Sequence, residues 1–220
     1  NGCQVSDNVT VLEPTELNIT STSQDSVSCF GLSDGTARVN TVAGGNSPYS
    51  YLWDDAAATT VFQASNLSAG DYQVTVTDAK GCFKVTTVTV LEPPLLAIGS
   101  MSQDSVSCNG LSDGTATANN ITGGTGSYSY SWDTTPVQTT NPATGLGIGT
   151  YTITVTDQNG CQVSDNVTVL EPPLLAIGSM SQDSVSCNGL SDGTATANNI
   201  TGGTGSYSYS WDTTPVQTTN

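Results

Sequence analysis

Six cysteines, nineteen acidic residues and no histidine set the chemistry open to this 220-residue chain. Cys3, Cys82 and Cys161 recur at a 79-residue interval, and Cys29, Cys108 and Cys187 keep the same spacing. Two well-separated cysteines per period point to disulfides, since zinc wants closely spaced cysteine pairs or histidine. Disulfides in turn belong to exported proteins. Catalysis needs a nucleophile held beside a base, and residues 94–172 contain neither Lys, Arg nor His. A pair of Asp residues for sugar hydrolysis would be copied unchanged along the chain, which does not suit one substrate cleft. The chain is therefore read as no enzyme, and no organic cofactor is expected. Oxygen ligands for Ca²⁺ are the remaining site chemistry: Asp34, Asp54 or its neighbour Asp55, and Asp78 in one period, Asp113, Asp133 and Asp157 in the next. Asp beside Gly is also ordinary turn chemistry, and no EF-hand spacing is present.

The periodicity extends well beyond the cysteines. Trp53, Trp132 and Trp211 share the 79-residue spacing, residues 91–141 recur without change as 170–220, and residues 1–14 recur as 159–172. Self-similarity at a fixed period is the signature of a repeat array. Leu-Glu-Pro at 12–14, 91–93 and 170–172 marks the boundaries, because proline donates nothing to a sheet ladder and restricts the residue before it. The expected division is 1–14 as the last strand of a preceding repeat, 15–93 and 94–172 as complete repeats, and 173–220 as the first part of a following one.

The elements that must position these residues read as strands. Hydrophobic residues make up 35% of the chain and fall in short alternating runs, with no ten-residue stretch of helical period. Strands are expected over 17–21, 36–42, 49–53, 60–64, 71–78 and 83–90, the fifth with Tyr72, Val74 and Val76 on one face. Residues 67–72, and their copy 146–151, resemble the tyrosine corner of Greek-key sandwiches through Tyr72 and Tyr151. Trp53, Trp132 and Trp211 are expected in the core between two sheets. The fold class is all-β: tandem Ig-like Greek-key sandwiches on a 79-residue period in an elongated array. Strand number then decides the cysteine partners. Six strands place Cys29 and Cys82 at one pole and close Cys29–Cys82 and Cys108–Cys161, with Cys3 and Cys187 paired outside the chain. Seven strands bring Cys29 to Cys161 instead. Only 54–59 is free for an extra strand, so six is the expectation, and it also gathers each Asp trio at one pole.

Four blocks in fixed order carry a family resemblance: Cys-Phe-Gly-Leu-Ser-Asp-Gly at 29–35, Gly-Gly-Asn-Ser-Pro-Tyr-Ser-Tyr-Leu-Trp at 44–53, Leu-Ser-Ala-Gly-Asp-Tyr at 67–72 and Val-Thr-Asp-Ala-Lys-Gly-Cys at 76–82. Together they resemble the SprB-type repeat of giant surface adhesins of gliding Bacteroidota. The second repeat departs from that pattern with Gly-Ser-Tyr at 126–128 and Gly-Ile-Gly at 147–149. The resemblance implies export by the type 9 system, an extracellular place on the bacterial cell surface, and no catalytic residues. It also implies O-glycans on Asp-Ser-aliphatic sites, at Ser26, Ser105 and Ser184, with Thr134 and Thr213 in looser matches.

Three functions follow as expectations. The repeats form the stalk or filament of a surface adhesin; or they bind glycans by avidity through Tyr49, Tyr51, Tyr128 and Tyr130; or several chains bundle laterally into a contact or predation appendage. Further copies of the repeat, and lateral copies of the protein, are the expected partners. A net charge of −16 leaves nothing to replace the counterions of nucleic acid or of an anionic membrane. No apolar run approaches the length that a membrane-spanning helix needs.

Overall fold

The computed structural model describes residues 2–220, and among these it contains strands and connecting loops without a helix. They group into two compact units. One is Asn1–Leu96 with Gly123–Gly126 and Gln158–Cys161, the other Ala97–Thr122 with Ser127–Asp157 and Gln162–Asn220.

In the first repeat six strands form: β1 (Asn18–Asp25), β2 (Gly35–Ala43), β3 (Ser50–Trp53), β4 (Gln63–Leu67), β5 (Gly70–Thr77) and β6 (Phe83–Val90). They pair antiparallel in two sheets, β1-β2-β4 and β3-β5-β6. This is the immunoglobulin partition of strands A-B-E and C-F-G. Alternation puts the inward residues of both sheets into one core: Val27, Ala37, Val39, Trp53, Ala64, Leu67, Val74, Val76, Val88 and Val90 are all buried. Each Val or Leu among them contributes about 1.5–3 kcal/mol when fully removed from water. On β5, Val74 and Val76 face that core with Tyr72 packed against it, as the alternation predicts. The fourth strand runs later than expected. Thr59 and Phe62 spend their carbonyls on the amides of Trp53 and Val39, so the ladder of β4 with β2 begins only at Gln63. Its register shifts between Gly35 and Thr36, at Asn66, whose φ of 58° is tolerated by Asn better than by most side chains.

Short β3 has a consequence for the whole repeat. It runs only four residues, paired with the Val74–Thr77 half of β5, and β4 pairs with the Gly35–Arg38 half of β2. β3 and β4 thus share a single pass of the sandwich, one half in each sheet, and residues 54–62 carry the chain across between them. As a result the β5–β6 hairpin shares a pole with the β2–β3 turn: the amide of Asn46 donates to Asp78 Oδ2 at 2.9 Å, and that of Ala79 to the Asn46 carbonyl at 2.8 Å. The β1–β2 loop lies at the other pole, beside the end of β6, where the Val27 amide donates to the Leu91 carbonyl at 3.0 Å.

The second repeat has the same design, with β7 (Ser100–Asp104), β8 (Gly114–Asn119), β9 (Ser129–Trp132), β10 (Ala143–Leu146), β11 (Gly149–Thr156) and β12 (Gln162–Val169). The sheets are β10-β8-β7 and β12-β11-β9, closed over Val106, Trp132, Ile153, Val155 and Val169. Gly114 permits the closure: a Cβ there would lie 2.7 Å from Val169 Cγ1.

Identical sequence behaves differently in the remaining segments. Residues 170–220 copy 91–141 but form only the two-stranded sheet of β13 (Ala176–Asp183) and β14 (Thr194–Thr201). Val185 is 46% exposed where Val106 is 2% exposed, and Trp211 is half-buried where Trp132 is 1% exposed. Residues 2–14 form no strand, whereas their copy supplies β12. Ladder partners and a facing sheet, not local preference, make these residues fold. Asn1, the first residue of the expected leading strand, lies outside the described residues.

Candidate functional site: a cysteine staple

Cys29 follows β1 in the β1–β2 loop. A turn closes there, with the Leu32 amide donating to the Cys29 carbonyl at 3.1 Å. Asp34 anchors the loop: its carboxylate accepts the Ser28 amide at 2.9 Å and the Ser28 hydroxyl at 2.5 Å. Those bonds, the hydroxyl foremost, hold the Asp34 carboxyl below its ordinary value. From the Leu-Glu-Pro boundary, Glu92 Oε2 accepts the Gly31 amide at 3.0 Å. Thus the boundary motif closes on the cysteine loop of its own repeat.

The second cysteine of each repeat sits at the tip of the last hairpin. In the first repeat, Asp78 is buried beneath that tip and accepts the amides of Asn46, Lys80 and Cys82, each at 2.9 Å. The Asn46 bond is the largest cause of its lowered pKa. Asp157 takes the equivalent, equally buried position ahead of Cys161.

Cys29 and Cys161 form a disulfide with Cα atoms 5.7 Å apart. The Asn159 side-chain amide donates to the Ser28 carbonyl beside it at 3.0 Å. Both cysteines belong to the first compact unit. The expected pairs Cys29–Cys82 and Cys108–Cys161 do not form, and Cys3, Cys82, Cys108 and Cys187 are exposed thiols. The reason is parity: β3 and β4 each cover half of one pass, so Cys29 and Cys82 occupy opposite poles of one sandwich. A signal existed in the sequence: the runs at 49–53 and 60–64 are shorter than those at 71–78 and 83–90, short enough for the two to share one pass.

The same parity separates the expected calcium ligands. Asp34 lies at the pole of the cysteine loop, and Asp78 at the other. Asp54 Oδ1 accepts the Gln73 amide at 2.8 Å, and Asp133 Oδ1 that of Thr152 at 2.8 Å. Asp55 accepts the amide and hydroxyl of Thr59, and Asp113 repeats the role of Asp34 on Ser107. Among the described residues no three acidic, Cys or His side chains gather to hold a metal ion. These carboxylates serve as turn anchors, and Asp34 anchors the loop of a bonded cysteine.

Of the sequon residues, Ser26, Ser105 and Ser184 are exposed at the ends of β1, β7 and β13. Thr134 is buried, donating to the Pro136 carbonyl at 2.8 Å and accepting the Gln138 amide at 2.9 Å. A glycan has no access to that hydroxyl. Thr213 makes the same two bonds but is exposed. Trp53 and Trp132 are core residues at 1% exposure, with Nε1 donating to the Val61 and Thr140 carbonyls at 3.0 Å; Trp211 keeps the bond without the burial. Tyr72 and Tyr151 make the tyrosine corner, their hydroxyls donating to the Ser68 and Gly147 carbonyls at 3.1 and 3.2 Å. Tyr49, Tyr51, Tyr128 and Tyr130 alternate inward and pack half-buried against the two cores, so they present no flat aromatic platform.

Comparison with known proteins follows the same period. A search of curated proteins finds no match. Among solved structures, the chain is similar to the three N-terminal domains of the bacteriophage RB49 Highly Immunogenic Outer Capsid protein, at 20% identity and a TM-score of 0.43. That match covers 74% of this chain and only 60% of the phage chain. Weaker similarities join it to Dpr11 IG1 bound to DIP-gamma IG+IG2 (12% identity, TM-score 0.28, 68% of this chain and 90% of that one). The amphioxus IgVJ-C2 molecule is comparable (12% identity, TM-score 0.26, 68% of this chain and 96% of that one). The strand partition above, rather than these likenesses, establishes the sandwich. The model of the SprB repeat matches residues 21–58, 100–136 and 179–215, at the chain's own spacing and over just more than half of its length. The chain belongs to the SprB repeat family.

Proposed function

We propose that this chain is a non-catalytic stalk segment of a large secreted surface adhesin. SprB repeats are repeats of surface adhesins, which makes an extracellular or surface place the expected one. The observation that carries the stalk reading is the Cys29–Cys161 bond, which closes across the Leu-Glu-Pro boundary at 91–93 and so ties two successive repeats covalently. Structural disulfides form and persist in oxidising compartments, which agrees with that place. Division at 15–93, 94–172 and 173–220, export by the type 9 system, service in gliding or attachment, and glycans on Ser26, Ser105 and Ser184 belong to the same proposal. Inward-facing tyrosines count against repeated glycan binding, and the charge of −16 favours mutual repulsion and solubility.

The test changes repeat number in the intact adhesin. Adding or removing whole 79-residue units should change the reach of the surface filament and leave attachment per molecule unchanged. Attachment that rises steeply with repeat number, as avidity demands, would contradict the stalk.

A further inference from the structure

We infer that Cys82 and Cys108 are open rungs of a disulfide ladder, in which the first-loop cysteine of each repeat bonds the last-hairpin cysteine of the next. It rests on the stalk reading and adds to it a partner: the matching cysteine of an adjoining SprB repeat.

Three observations support it. Cys108 stands one period after Cys29, and Cys82 one period before Cys161, so each free thiol is the equivalent of a bonded one. The loop of Cys108 already holds the bonded geometry. The Ser107 amide donates to Asp113 at 2.9 Å and the Leu111 amide to the Cys108 carbonyl at 3.1 Å, the same distances as around Cys29. Bond formation therefore needs little reordering of the loop. Finally, both thiols line open cavities: Cys82 one of about 370 Å³ with Glu13, Pro14 and Asp78, Cys108 one of about 290 Å³ with Leu175 and Tyr207. Each cavity is edged by the Leu-Glu-Pro segment or the residues that follow it, the place where a neighbouring repeat joins.

Closing a rung removes one proton and one electron from each thiol and joins the two sulfurs. The electrons and protons pass to the disulfide of an envelope thiol–disulfide oxidoreductase, which leaves as a dithiol.

The ladder changes how the chain carries load. With Cys29 bonded to Cys161, tension applied at the ends jumps across the bond, whose sequence separation is 132. From Cys161 the load runs to Cys187 and the next rung through a short stretch: β12, the boundary and β13. In a continuous ladder that stretch, recurring once in every repeat, would be the part exposed to extension.

The experiment lengthens this chain by repeating residues 142–172 after Asn220, completing a third copy, and maps disulfides by non-reducing peptide analysis after oxidation with glutathione disulfide. The expected result is a second bond from Cys108 to the added cysteine, with Cys29–Cys161 retained. A retained Cys29–Cys161 with Cys108 free, or with the added cysteine bonded to Cys187, overturns the ladder while leaving the stalk in place. Tethered by its ends, the 220-residue chain should release residues 30–160, up to about 430–470 Å of contour, only after reduction. Release of that length from the oxidised chain would contradict the load path.

Discussion

Replacing Trp132 by alanine removes the largest side chain of the second core, and an identical residue in identical sequence context serves as its control. Trp132 is 1% exposed, between sheets β10-β8-β7 and β12-β11-β9. Truncating a buried Trp costs about 3–5 kcal/mol through lost transfer energy and the cavity left behind. The Thr140 carbonyl, which accepts the indole N–H at 3.0 Å, loses its partner as well. A sandwich of this size is expected to hold roughly 4–12 kcal/mol in total, so Trp132→Ala should bring the second repeat to the edge of unfolding. Trp211→Ala removes a half-buried ring beside a two-stranded sheet and should cost less than about 1 kcal/mol. Hydrogen exchange read on β11 is the assay, because Gly149–Thr156 has no copy in the C-terminal segment. Protection there should collapse in Trp132→Ala and persist in Trp211→Ala. Equal loss in both variants would refute the view that the facing sheet, rather than the local sequence, makes the core.

Gly114→Ala drives a Cβ to 2.7 Å from Val169 Cγ1 and 3.0 Å from two carbonyl oxygens; about 1–3 kcal/mol should be lost, measured by urea denaturation. Tyr151→Phe deletes the corner bond to Gly147 and should cost about 0.5–1.5 kcal/mol with the far-UV spectrum unchanged. Asp34, Asp78 and Asp113 are held below the ordinary carboxylate value by the bonds they accept. Their stabilisation is complete above the unfolded pKa, about 3.9, and fades as pH falls through the lower folded values. Denaturation midpoints should therefore stay level from pH 7 to 5 and drop below pH 4, with a smaller drop in Asp78→Asn; an identical acid limb in that variant would contradict the assignment.

Much of this fold was legible in the sequence. Period-2 runs located β1, β2, β3, β5 and β6 of the first repeat, and the corner motif placed Tyr72 and Tyr151 because their spacing from the preceding Leu is fixed by the turn. What periodicity missed was that β3 and β4 pair with only half of β5 and half of β2 and together make one pass, since alternation shows a strand and not how far across the sandwich it reaches. That decided strand parity, and parity decided both the cysteine partner and the scattering of the Asp residues. Thr134 was misread because its hydroxyl is consumed inside the turn that follows β9, which the short sequon match does not show. Local composition could not show that residues 2–14 and 160–172, or 91–141 and 170–220, would fold differently, since their difference lies wholly in which strands stand beside them.

The staple itself is open to direct measurement. The oxidised 220-residue chain, alkylated, digested without reduction and sequenced, should yield one linked peptide pair, Cys29 with Cys161, and alkylated Cys82 and Cys108. A Cys29–Cys82 or Cys108–Cys161 pair in its place would contradict the parity of the sandwich and the covalent tie between successive repeats.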